Sequence, residues 1–334
     1  ELNFMAISNV SDFKIYEEQM QAGYIETAQQ FTDAFNAAAN GSIVMTAASK
    51  VGNYEQEAFF KDISSTLITR QDITSNSGVT PIKLEQDENV RVKVHRKIGP
   101  IDATFKSFNM VGMSAQQEFS FLLGQAIAKA QPQEMLNTGL LAARAAVLAN
   151  TAMVNDVTGA SGTCTHTNLI GAMRKLGDAY SRLSAWVMHS TQFFDLGLDA
   201  VAQSVDTIVA GILRVYDIPS LGRPVVVTDS DSLIITADTP DSYVVLGLTE
   251  GGLQLIDSEA TNVVSDVITG NEQLQMRLQG EGAYNVGVKG FKWDVSNGGA
   301  NPSAAAIATG TNWDQCATSD KDTAGVALKC IAAS

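Results

Sequence analysis

The stretch "AWVMHSTQFFDL", residues 185–196, brings His189, Ser190 and Asp195 close together along the chain. A serine, a histidine and a carboxylate are the residue set of nucleophilic acyl transfer, in which the base takes the hydroxyl proton and the acid orients the base. The spacing argues against that chemistry. Consecutive residues of a strand project to opposite faces, so His189 and Ser190 diverge wherever a strand continues. If a helix begins at Ser190, the hydroxyl of Ser190 or Thr191 is better placed to accept a free backbone N–H than to attack a substrate. No Gly-x-Ser-x-Gly elbow occurs anywhere in the chain. The stretch therefore reads as a buried strand, Ala185 to Met188, handing over to a helix that ends near Gln203.

Other chemistry fares no better. His95 falls in a charged, alternating segment and His166 in a polar loop, far in sequence from His189, which gives no metal-ligand spacing. "GEGAYNVGVKG" (Gly280 to Gly290) lacks both the dinucleotide and the phosphate-loop patterns, and strand turns and bulges account for its glycines. "TDSDS" (Thr228 to Ser232) lacks the length and terminal glutamate of a calcium loop and reads as a polar turn. Cys164, Cys316 and Cys330 form no zinc pattern and read as free thiols, with a Cys316–Cys330 bridge left open. No enzyme, cofactor or metal is expected.

Composition narrows the class. The chain has 334 residues, 45% of them hydrophobic and 17% charged, which describes an ordered protein with a sizeable core. No run approaches the ~18 apolar residues of a membrane span, and "ELNFMAISNV" carries no secretory pattern. The net charge of −14 argues against a broad basic face gripping nucleic acid. Its distribution is uneven: residues 1–60 hold eight acids and two bases, residues 194–334 eighteen and seven. Residues 61–100 reverse the balance, with five acids against seven bases: Lys61, Arg70, Lys83, Arg91, Lys93, Arg96 and Lys97. These seven are candidates for contact with the acidic surface of another copy.

The elements follow from periodicity. Residues 11–38 carry apolar side chains near helical spacing, and "NAAANGS" ends them. "DISSTLITRQDI" and "ENVRVKVHRKIG" read as the strands of a long hairpin with little apolar content of its own. Alternation sets Val90, Val92 and Val94 opposite Arg91, Lys93 and His95. Residues 114–150 are strongly helical, with Phe119, Leu122, Leu123 and Ile127 on one face, then Leu136, Leu140, Ala143 and Val147. Pro132 should kink this helix or start a second. A helix over 168–183 turns Leu169, Met173, Leu176, Tyr180 and Leu183 inward. Strands around Pro219–Gly222 and a strand-rich remainder to Val295 complete an α+β chain. Residues 296–334 read as a weakly periodic tail in which Trp313 and Val326 to Leu328 are able to dock.

The order of these parts resembles the major capsid proteins of tailed phages, which share the Hong Kong 97-type fold. The residues that carry the likeness are a helix running into a Trp-x-Met-His-Ser strand at Trp186 to Ser190, and the turn plus Gly-x-Pro-Val-x-Val-x-Asp at Gly222 to Asp229. The resemblance covers roughly residues 10–295. It implies an N-terminal arm at 1–50, an extended loop at 51–104, a peripheral domain with its spine helix at 105–166, and an axial domain at 167–250. Return strands at 251–295 and a tail at 296–334 complete the division. Some relatives weld subunits by a Lys–Asn isopeptide bond. Lys61 and Lys83 lie in the corresponding region, but no asparagine is marked as a partner.

By the same resemblance the function is self-assembly into an icosahedral shell of pentamers and hexamers, made in the bacterial cytoplasm and enclosing phage DNA. Portal, scaffolding and decoration or cementing proteins are the implied partners, and no membrane is involved. Phe119, Leu123, Ile127, Trp186 and Met188 would be core. A nanocompartment shell of the same fold is the alternative, and an α/β enzyme the more distant one.

Overall fold

A computed structural model describes residues 39–63, 67–68, 70–106, 115–160, 162–199, 207–210, 213–218 and 222–333. The helical pattern expected over 11–38, and with it nearly all of the N-terminal arm, lies outside these residues.

Strand β1 (Ile43–Ala47) leads to β2 (Tyr54–Phe60), which pairs antiparallel with the long β3 (Gln86–Thr104), Tyr54 opposite Val92 and Phe60 opposite Gln86. The first strand of the hairpin thus lies earlier than the expected Asp62–Ile73. "YEQEAFF" looks too charged for a strand until Glu55 is seen to face Arg91 directly. Between the two strands, residues 61–85 form no strand among the described residues. Asp72 holds a local turn there, its Oδ1 accepting from the Thr74 N–H at 2.9 Å and hydroxyl at 2.7 Å.

Helix α1 (Ala115–Ala149) runs unbroken through Pro132 for 35 residues, about 52 Å at roughly 1.5 Å per residue. Pro132 therefore starts no second helix. A proline removes one hydrogen bond, and the burial of Leu136, Leu140, Ala143 and Val147, all within 2% of full, outweighs that loss. Ile127 is also buried and Leu123 packs beside it; the Phe119 side chain lies outside the described set. Gly139 allows a close approach here, since a Cβ would sit 2.8 Å from Leu255.

After β4 (Val154–Asp156), helix α2 (His166–Leu176) is capped by Thr165, whose hydroxyl accepts from the Asn168 N–H. Gly177, at φ +57°, ends it, earlier than the expected Leu183. The following six residues form a 3-10 turn that leaves Tyr180, expected inside, 54% exposed. Strand β5 (Leu183–His189) and helix α3 (Ser190–Asp199) follow at the expected junction. Strands β6 (Thr207–Ala210), β7 (Leu213–Ile218), β8 (Arg223–Thr228), β9 (Ile234–Ile235) and β10 (Ser242–Thr249) come next. The long β11 (Leu253–Ile268) and β12 (Gln275–Val288) form a hairpin that continues into β13 (Phe291–Trp293), β14 (Trp313–Gln315) and β15 (Gly325–Ile331).

Two sheets result. In one, β12 lies between β11 and β3, with β1 parallel to β11 and β2 beyond β3. The other runs β4-β15-β10-β5-β8-β7-β6, with β9 beside β10. Helix α1 shares one buried cluster with both sheets, including Val92, Tyr284 and Val286 from the first and Val187, Val226 and Leu246 from the second. The opposite face of the second sheet packs Trp186, Met188, Val225 and Val245 against Leu169 and Leu176 of α2. A sheet covered on both faces needs unbroken apolar strands, which is why "SAWVM" and "PVVV" do not alternate.

Within the weakly periodic stretch from 296 to 333, Trp313 and Val326 to Leu328 dock as expected, each at most 3% exposed. β15 sits between β4 and β10 inside the second sheet, and Trp313 packs edge-to-face on Trp293 with centroids 5.0 Å apart. The expected hairpin of slight apolar content is corrected: Val90 and Val92 are at most 1% exposed and belong to the subunit's own core.

Candidate assembly interface

Two of the would-be catalytic residues, His189 and Asp195, have structural roles. His189 Nδ1 accepts the Thr191 backbone N–H at 3.2 Å, so His189, rather than Ser190 or Thr191, supplies the side-chain acceptor at the start of α3. Its ring lies 5.5 Å from that of Tyr243. Asp195 accepts the Ala333 N–H at 3.0 Å, holding the end of the chain. Among the described residues no hydrogen bond joins His189 to Ser190 or Asp195, and no group of three metal-ligating side chains occurs. All three cysteines are free and buried. Cys330 lies against Cys164 and donates to Gln192, which disposes of the Cys316–Cys330 bridge. No described helix is long and apolar enough to cross a membrane.

The seven basic residues divide into two groups. Arg91 pairs with Glu55 at 3.2 Å and Glu57 at 3.5 Å. Lys93, 2% exposed, bonds Glu259 at 3.1 Å and the Lys50 carbonyl at 2.7 Å. Arg96 lies 4.4 Å over the Tyr284 ring, 3.5 Å from Asp257 and 3.8 Å from Glu134 of α1. It also donates to the Gln131 carbonyl at 3.2 Å, in the turn that holds Pro132. Lys61 pairs with Asp87 at 3.4 Å. These four bind the base of the extension to its own subunit. Arg70, Lys83 and Lys97 are exposed and form no ion pair among the described residues.

The carboxylates register this arrangement. Burial alone would raise Glu55, but Lys50 and Arg91 hold it below its ordinary value. Burial likewise opposes ionisation of Asp87, and Lys292 and the Glu88 N–H reverse the effect. Asp257 is pushed up by burial, which Arg96 only partly offsets. Glu55, Asp87, Asp257 and Glu259 were not singled out from sequence. The period-two spacing of Glu55 and Glu57 against Arg91 and Lys93 was the available signal.

What remains unsatisfied is the extension itself. Ile68, Ile73 and Val79 are 88%, 90% and 92% exposed, and Leu67 and Leu84 60% and 71%. Arg70, Asp72, Lys83 and Glu85 are the charges among them, and no described residue of 61–85 lies in a strand. Such a surface is made to be covered by another molecule.

Two sheets share one long buried helix, and the extension over 61–85 projects from the first of them. The capsid of cyanophage Pam1 shares the fold, with a TM-score of 0.52 at 11% identity over 87% of this chain and 88% of that one. A structure from Mycobacterium phage Bobi (TM-score 0.49, 12% identity, 89% and 91% covered) and the capsid of Ralstonia phage GP4 (0.49, 9%, 88% and 88%) are also similar. No curated protein sequence matches the chain. The family model described as Gp13-like, major capsid protein 13-like, matches residues 12–327. The chain belongs to that family and is a phage major capsid protein.

Proposed function

We propose that many copies of the chain close, as pentamers and hexamers, into an icosahedral shell around double-stranded phage DNA, assembling in the bacterial cytoplasm. The observation that carries this reading is the extension over 61–85, in which Leu67, Ile68, Ile73, Val79 and Leu84 are each at least 60% exposed. An isolated subunit gains nothing from that arrangement; a neighbour laid against it buries the surface. The net charge of −14 suits a container in which DNA must slide, because a basic lining would bind phosphate in many salt-dependent contacts.

Within this reading the Hong Kong 97-type divisions apply: arm 1–50, extended loop 51–104, peripheral domain 105–166 and 251–295, axial domain 167–250. Residues 296–334 join both of the folded parts. Arg70, Lys83 and Lys97 are the subunit-contact residues. Portal, scaffolding and decoration proteins are the further partners. The chain also resembles the coat protein of the short-tailed Salmonella phage epsilon-15, and kinship with it is part of the proposal. Electron microscopy of the purified, concentrated protein is the direct test. Closed angular shells are expected. A chain that stays monomeric overturns the reading, and shells filled with protein cargo would favour a nanocompartment.

A further inference from the structure

Beside the root of the extension lies a cavity of about 370 Å³, walled by Glu57, Phe59, Phe60, Asn89, Cys316 and Asp322 among others. Three properties suit it to a cation on an apolar stem. Phe60 keeps 66% of its surface exposed, and aromatic walls attract cations. Asn89 Oδ1 is buried and accepts no hydrogen bond, an unmet acceptor that an incoming donor would satisfy. Glu57 and Asp322 already pair with Arg91 and Arg182, yet their side chains remain 67% and 49% exposed, with lone pairs to spare.

The same chain carries a matching donor. Arg70 is exposed and without an ion pair among the described residues. It stands between Ile68 and Ile73, which are 88% and 90% exposed. Its own cavity does not receive it. A guanidinium also suits the site better than an ammonium, since it stacks on rings and donates along several directions at once.

We propose that Arg70 of a second copy enters this cavity. Its guanidinium lies against Phe60, donates to Asn89 Oδ1 and is flanked by the carboxylates, while Ile68 and Ile73 cover the apolar rim. The inference rests on the shell-forming reading above and names the seat in which the extension docks.

The test is an Arg70→Cys, Thr318→Cys double variant in a Cys316→Ala background, since the free thiol of Cys316 and Thr318 both line the cavity. The variant is assembled into shells and treated with oxidised glutathione. The expected result is a ladder of reductant-sensitive multimers in denaturing gels. The ladder should be absent from either single variant and from unassembled subunits. Normal shells without a ladder, or with a link only inside one subunit, overturn the docking while leaving shell formation intact. Absence of shells from the unmodified chain would instead remove the reading beneath it. If the double variant fails to assemble, amide exchange of the unmodified protein reads the same contact. Residues 57–60 and 67–73 should exchange at least tenfold more slowly in shells than in subunits, and equal rates overturn the proposal.

Discussion

His189 shows how residue type can mislead when its surroundings are unknown: it looks like a base and works as a helix cap. Trp186, by contrast, is what its neighbours imply. It is fully buried, and Gly247 makes room for it, since a Cβ there would lie 2.8 Å from the indole. Trp186→Ala should cost about 3–5 kcal/mol, measured by denaturant unfolding of the subunit; a loss below 1 kcal/mol, by the same standard, would show that the cavity collapses. Glu55 and Asp87 set the pH response of the extension's base. Both have carboxyls held below their ordinary values of 4.5 and 3.8. The stability they contribute is therefore complete above those values and is lost as pH falls through the lower folded ones. A Glu55→Gln, Asp87→Asn variant should be less stable at pH 7 and should show a weaker acid loss. Unfolding curves parallel to the wild type at every pH would exclude this linkage.

At the scale of elements, the two groups of bases should behave differently. Reversing Arg91, Lys93 and Arg96 to Glu looks from sequence like a change that spares the fold and stops assembly. The structure reverses that expectation, because all three are engaged within the subunit and two are nearly buried. Breaking a buried pair by removing one partner typically costs about 3–5 kcal/mol, so this variant should misfold, as read by circular dichroism and solubility. Arg70→Glu with Lys83→Glu should instead keep the wild-type spectrum and lose shells by electron-microscope particle counts. A single reversal at such exposed sites is worth only about 0–1 kcal/mol, and repetition over many copies makes the double change visible. A soluble, stable triple variant together with normal shells from the double one would invert this assignment.

Across the whole molecule, the last strand decides whether the second sheet exists. β15 pairs with β10 over seven residue pairs and holds β4 on its other side. Ala324, Val326, Ala327, Leu328 and Cys330 are all fully buried. Truncation after Thr323 would expose the edge of β10 and open the core above α2, and exposed apolar edges aggregate. The truncated chain should be insoluble, as measured by the soluble fraction after expression. A soluble product that forms shells would make the C-terminal segment dispensable. Helix α1 contributes at the same scale by burying side chains against both sheets at once.

Periodicity and residue type alone determined the strand-to-helix junction at His189–Ser190, the helical character of 115–149 and the strands from Arg223 to Trp293. These are local properties, written in side-chain spacing and apolar runs. Three matters were decided only by tertiary structure. The partner of each charge depends on strand register, which set Glu55 across from Arg91 and brought Glu259 to Lys93 from 166 positions away. Helix length through Pro132 depends on how much burial compensates one missing hydrogen bond. The role of residues 325–331 depends on a gap between β4 and β10, two strands far apart in sequence. The seven residues GVALKCI form a short, mostly apolar run that carries no mark of which strands flank it, because the contacts that hold it belong to the rest of the fold.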